Sequence, residues 1–267
     1  MGATMIYVTV TLCGLILALL AIRYDMYDRE PWYMLLVATG LGAISCWAVG
    51  HLEDWVLYRW TSSGDQVLTQ STVAAFFEEA SKFLVVVTIA ATCRHHFNDP
   101  MDGIIYGAFA GLGFGICESM FYIDLAKASS PVPTHLQLFG QEAIRLILHF
   151  LTGGLGGFGF GLAQHGIRQW KIILPTWTAA AIGIHFLWDW SCGLPFEGSL
   201  SNVFQRSSAV SLMLFATFLF GVAVFTGVKW SRVVHPPKLA CAPLLGWPFS
   251  LLARGNVDSS ERKSQRQ

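Results

Sequence analysis

The sequence predicts an all-α fold, a polytopic membrane helical bundle of about seven transmembrane helices with the N-terminus outside. Three observations carry that reading. Hydrophobic residues make up 54% of the 267 and charged residues only 13%, with a mean hydropathy of +0.51, about half the charge of an ordinary soluble domain. Segments long and apolar enough to span lie at 3–21, 32–50, 72–92, 103–123, 143–163, 172–191 and 209–228. Positive charge then sorts to one side. With the N-terminus outside, the cytoplasmic ends receive Arg23, Arg29, Arg94, Arg168, Lys171, Lys229, Arg232, Lys238, Arg254, Arg262, Lys263 and Arg266, and the outer loops only Arg59, Lys127 and Arg206. That asymmetry follows the positive-inside rule and makes a multi-pass cell-membrane protein the expectation.

Each segment has its own justification. The first has no positive residue ahead of it and no small-x-small cleavage site, and Arg23 follows it, so it reads as a helix rather than a signal peptide. The second is apolar throughout. The third contains AAFFEEASKFLVVV, with Glu78, Glu79 and Lys82 inside an otherwise lipid-compatible run. Each ionised group at mid-helix costs roughly 3 kcal/mol on an insertion scale, so these three must face protein or water. Lys82 stands four residues after Glu78 and three after Glu79, close enough to neutralise one of them.

The fourth and fifth segments carry glycine at four-residue spacing, Gly103, Gly107, Gly111 and Gly115 on one and Gly153, Gly157 and Gly161 on the other. Such small-residue seams let helix backbones approach closely where lipid gives no hydrophobic driving force. They are not phosphate loops, because the strand and helix context of a nucleotide site is absent. Further ionisable groups lie in the same helices: Glu118 in the fourth, Arg145 and His149 in the fifth, His185 and Asp189 in the sixth. The seventh segment carries no motif. After it, PLLGWPFSLL at 243–252 is too short and proline-interrupted to span, and is expected on the inner interface ahead of a polar, disordered end. One transmembrane domain over 1–235, with its motif-bearing core at 72–191, and a cytoplasmic tail over 236–267 is the expected organisation.

Depth links the polar residues. At about 1.5 Å per residue, Glu78, Glu118, His149 and His185 lie about 8 to 9 Å below the outer ends of their segments, with Asp189 a turn nearer the surface. Independent satisfaction of isolated polar groups does not predict a common level, whereas a water-accessible site opening outward does.

Several classes fall away. A net charge of zero supplies no basic field for nucleic acid. Six cysteines without clustered spacing argue against a disulfide scaffold or thiolate metal site, although Cys46 and Cys192, both at outer ends, could pair in an oxidising space. No GxSxG or HExxH is present, and Ser71, Ser81 and Ser119 have no evident nucleophile partners. Water activation remains: by Glu78 or Glu79 as general base with a histidine at the oxyanion, or by zinc held by His149, His185 and one carboxylate from Glu78, Glu79 or Glu118, Glu79 being the first choice. The residues leave those two accounts open.

FFEEASKF resembles the EExxK motif of the PrsW family of intramembrane proteases, relatives of the CAAX prenyl-proteases. The likeness continues through NDPMDGIIYGAFAGLGFGICES (Asp99, Pro100, Asp102, Gly103, Tyr106, Gly107, Gly111, Phe114, Glu118), RLILHFLTGGLG (Arg145, His149, Gly156) and HFLWD (His185, Asp189), about residues 75 to 190. It implies an endopeptidase that cuts membrane-anchored proteins near the outer face, among them an anti-sigma factor. It also implies that Glu78, Glu79, His149 and His185 form the catalytic core, that Glu118 and Asp189 support it, and that Lys82, Arg145 and Ser119 stand nearby. Where the family commonly has Asn after the third glutamate, this chain has Ser119, a hydroxyl with less hydrogen-bonding capacity. Two other classes would also use intramembrane polar groups. An ion-coupled transporter would show inverted repeats and broken helices, which are not found; a non-catalytic scaffold would keep the glycine seams and tolerate loss of either histidine.

Overall fold

The structure is a computed structural model and describes residues 2–24, 29–60, 66–128, 135–166, 169–193 and 199–234. Among them are the helices α1 (Gly2–Tyr24), α2 (Trp32–Trp60), α3 (Gln66–Thr92), α4 (Pro100–Ala128), α5 (His135–Gln164), α6 (Trp170–Gly193) and α7 (Ser199–Val234), with one 3-10 turn at Arg94–His96 between α3 and α4. No strand occurs among the described residues, so the architecture is an all-α bundle. The segment at 243–252 and the tail lie outside the described residues.

Six helices are long and apolar enough to cross a membrane. The exception is α3, whose every long window contains Glu78, Glu79 and Lys82. Its buried residues Ser71, Ala75, Glu78, Glu79, Lys82, Val85, Val86, Ile89 and Ala90 follow the three-and-four spacing of a single stripe. The ionisable groups therefore sit on the face turned to protein, while Phe76 and Leu84 point outward. Several helices outrun their apolar segments. In particular α2 continues past residue 50 through HLEDWVLYRW, which contains neither proline nor glycine to stop it, and Arg59 belongs to that extension.

At the centre stand α4 and α5, 72% and 83% buried over their spanning stretches against 17 to 33% for those of α1, α2, α6 and α7. They pack antiparallel along the two glycine rows. A methyl group at Gly103, Gly107 or Gly111 would overlap the carbonyl of Gly157, Gly153 or His149 respectively, so only glycine permits this approach. Across the other face of α4, Gly42 and Gly113 bring α2 equally close, against Ala110 and Thr39. The remaining packing sets α3 against α2 and α6, α6 against α5, and α1 and α7 on the flanks. Leu15, Ile16 and Leu19 of α1 and Leu214, Phe215 and Phe218 of α7 are exposed and form lipid-facing surface.

The start of α4 explains part of the second motif. Asp99 Oδ1 accepts from Met101 N (2.5 Å), while Asp102 Oδ2 accepts from Asn98 N (2.6 Å) and Asp99 N (2.8 Å), with Pro100 in the first helical position. This is a reciprocal N-terminal cap, in which each carboxylate satisfies amides the helix cannot. At the far end of α5, Gly166 at φ 72° turns the chain out of the helix. The disulfide expected between Cys46 and Cys192 is not formed: both are free, and the thiol beside Cys46 is that of Cys117 on α4. The close packing of α2 on α4 turns Cys46 toward that helix and away from α6.

Candidate active site

Four helices deliver the polar residues to one place. At about 1.5 Å per residue, Glu78 lies about 18 Å from the start of α3, Glu118 about 15 Å from the end of α4, His149 about 21 Å from the start of α5 and His185 about 12 Å from the end of α6. These depths exceed the sequence-based ones because the helices project beyond their apolar spans. The four ends involved are the same end of the bundle.

Glu79 is the hub. Its Oε1 accepts from Lys82 Nζ (2.6 Å), Thr152 Oγ1 (2.9 Å) and His185 Nδ1 (2.7 Å). Lys82 Nζ also donates to His149 Nδ1 (2.7 Å) and stands 4.6 Å above the Phe114 ring. A donor at Nδ1 places the His149 ring proton on Nε2, which gives it to Glu118 Oε2 at 2.5 Å. Arg145 Nη1 donates to the other oxygen of Glu118 (2.5 Å) and Arg145 Nε to Glu142 (2.9 Å), with the guanidinium 3.9 Å over Tyr122. Each histidine is thus oriented by a carboxylate on one nitrogen and turns the other inward.

What the inward nitrogens face is Glu78. Its Oε2 is buried with no hydrogen-bond partner, 3.6 Å from His185 Nε2, 3.8 Å from His149 Nδ1 and 3.9 Å from Lys82 Nζ. Asp189 Oδ2 approaches His185 Nε2 at 3.3 Å from the solvent side. A His185 Nε2 set between two carboxylates is favourable only as an imidazolium or with a cation beside it. One donor atom each from Glu78, His149 and His185 lies within 4.8 Å of the others, close enough for a single metal ion. Two imidazoles and a carboxylate make the donor set of a catalytic zinc site that keeps an open position. The residues present fit such a group, with one obstacle: Lys82 already occupies the lone pair of His149 Nδ1.

The predicted residues accordingly divide. Glu78, Glu79, Lys82, Glu118, Arg145, His149, His185 and Asp189 form one connected cluster. Of the three carboxylates the sequence offered for this place, the one that meets both histidines is Glu78 and not the first choice Glu79, whose Oε1 is taken by three donors. Ser119 is buried and its Oγ has no hydrogen-bond partner. Three members were missed, among them Glu53 in the part of α2 beyond its apolar segment, which interacts with Glu78, Glu118 and His185. Glu142 falls one residue before the apolar segment that begins at 143, and Thr152 carries no charge, although its place three residues after His149 puts it on the same face. Access is graded: Lys82, Glu79 and the two histidines are buried, whereas the side chains of Glu118, Arg145 and Asp189 are 16%, 24% and 30% exposed. The site opens toward the end of the bundle where α4 and α6 finish.

Comparison with known proteins agrees. The family model described as PrsW family intramembrane metalloprotease matches residues 30–225. The Protease PrsW of Bacillus subtilis is 31% identical over 158 residues, 58% of this chain and 68% of that protein. That of Geobacillus kaustophilus is 25% identical over 182 residues, 65% and 74% of the two chains, and that of Clostridioides difficile 33% over 101 residues, 37% and 42%. No solved structure matches the chain.

Proposed function

The chain belongs to the PrsW family of intramembrane metalloproteases, and from that premise we propose that Glu78, His149 and His185 hold its catalytic metal, a zinc ion. The protein is a multi-pass membrane protease. The observation that carries the metal proposal is the convergence of an unpartnered Glu78 oxygen with two carboxylate-oriented imidazole nitrogens within 4.8 Å. When bound, zinc there polarises the scissile carbonyl and acidifies a water toward a pKa of about 7. The chain's own residues do the rest. Glu79 fixes the tautomer and tilt of His185, and Glu118, clamped by Arg145, does the same for His149. Asp189, whose side chain is 30% exposed, carries a proton between the site and bulk water in this reading. Ser119 takes no part in this reading.

The substrate class is a membrane-anchored protein, single-pass and of the anti-sigma type, cut near the end of the bundle where Asp189 and Arg145 are exposed. The charge asymmetry of the loops makes that the outer face. A thiol introduced by Tyr58→Cys on the exposed end of α2 is then labelled by an impermeant reagent in intact cells. Labelling only after the inner face is opened reverses the orientation.

A second reading is favoured by one observation, Lys82 Nζ at 2.7 Å from His149 Nδ1. With the ammonium in that position, Glu78 takes a proton from water directly and an imidazolium His185, held by Asp189, donates to the oxyanion. Metal content and peptidase activity measured on one preparation separate the two. A fully active enzyme free of transition metal sinks the zinc proposal. Glu78→Gln lowers activity by roughly 10² to 10⁴ under either reading, but removes bound metal only under the first.

A further inference from the structure

We propose that Lys82 is a built-in cation that holds the ligand set together in the metal-free protein and yields its contact with His149 when metal enters, so that its charge sets how tightly metal is held. The inference rests on the zinc reading above. His149 Nδ1 has one lone pair, and with Nε2 committed to Glu118 that lone pair is its only free donor site. Lys82 Nζ now occupies it at 2.7 Å. An ammonium and a metal ion cannot share it, so binding one means displacing the other.

Charge explains why an ammonium is there. Glu53, Glu78, Glu79, Glu118, Glu142 and Asp189 face the cluster, against Lys82 and Arg145. Arg145 is spent on Glu118 and Glu142, which leaves Lys82 as the cation nearest Glu78 and Glu79, at 3.9 and 2.6 Å. The lysine is 1% exposed and lies over the Phe114 ring, so water does not share that task. A divalent ion would supply the same compensation with twice the charge. The lysine is retained by Glu79 after it leaves His149, and its positive charge then opposes the ion it made way for. Lys82 acts here as a positioning residue and not as a group that touches substrate.

The test compares zinc affinity, read by competition with a chromophoric chelator, for the full-length wild-type protein, Lys82→Met and His149→Ala in detergent after metal stripping. Lys82→Met is expected to bind zinc at least about tenfold more tightly than wild type, since a nearby unit charge has been removed, with a lower melting temperature when metal-free and a larger zinc-induced rise. His149→Ala is expected to lose the site. A residue that merely braced the fold would weaken zinc binding on removal, the opposite sign. Should Lys82→Met not yield monodisperse protein, Lys82→Gln makes the same comparison with a neutral side chain of similar length. Equal or weaker affinity in the neutral variant, with a wild-type site that His149→Ala abolishes, overturns this proposal alone. No zinc bound by wild type or by the neutral variant overturns both this proposal and the zinc reading beneath it.

Discussion

The α4–α5 pair is built in two halves that solve opposite problems. Toward the starts of α4 and the ends of α5, glycines 103, 107, 153 and 157 bring backbone against backbone with no side chain between them. Toward the other end, the same two helices part around Glu118, Arg145 and His149, whose charges must be satisfied by neighbours. The glycine half contains nothing reactive, and the charged half contains little that could hold helices together on its own, since separating such groups from water offsets most of their attraction. The joint between them is His149: its carbonyl lies against Gly111 and its ring against Gly115. Close packing in one half therefore fixes the coordinates of the other, a division of labour that lets a polar cluster be both buried and accurately placed.

Substitutions can break each half separately. The largest effect is expected from Gly107→Leu, which forces a four-carbon side chain into the Gly153 carbonyl; overpacking of this kind costs about 1–3 kcal/mol or more. Loss of monodisperse protein and of a cooperative melting transition, with activity lost along with the fold, is the expected outcome. A stable, active variant would mean the seam is looser than described. Next comes Glu118→Gln, which weakens the orientation of His149 and leaves Arg145 with only Glu142. A loss of roughly 10- to 100-fold in activity or metal affinity is expected, with the melting temperature little changed; a melting shift of many degrees would assign Glu118 to the structural half instead. The smallest and sharpest is Gly115→Ala. The added methyl meets His149 Cδ2 at 3.0 Å, a few tenths of an ångström too near, so the ring must shift while the backbone seam stays closed. Activity several-fold below wild type at unchanged stability is expected, and unchanged activity would show that the ring position has slack.

Much of this division could be read before any coordinates. The glycine spacing named the seam, and the rarity of charge in an apolar chain made Glu78, Glu79, Lys82, Glu118, Arg145, His149, His185 and Asp189 stand out. What sequence spacing cannot supply is rotation between helices. Adjacent residues on a helix point about 100° apart, so whether Glu78 or Glu79 meets the histidines depends on how α3 is turned against α5 and α6. That packing sends Glu79 to Lys82, Thr152 and His185 Nδ1 and leaves Glu78 Oε2 bare. Similarly, Asp99 and Asp102 look like site acids in a motif, yet they cap α4; the proline between them was the readable sign of a helix start. Ser119 follows Glu118 in sequence, but its Oγ makes no hydrogen bond to the cluster.

The composition of α3 also has a bearing on how the chain is made. Two of its three ionisable groups complete their hydrogen bonding on helices that do not yet exist when α3 leaves the ribosome: His149 comes 67 residues after Lys82, and His185 comes 106 after Glu79. At a synthesis rate of about 5–20 residues per second, the wait is on the order of 5–20 s. During that interval the Glu79–Lys82 pair within one turn is the internal compensation at hand, and α3 is a weak candidate for release into lipid. Its integration must then be post-insertional, completed when the α4–α5 hairpin and α6 arrive and close around it. The residues that equip the protein for catalysis are thus also the ones that make one of its earlier helices settle late, after helices that follow it in the chain.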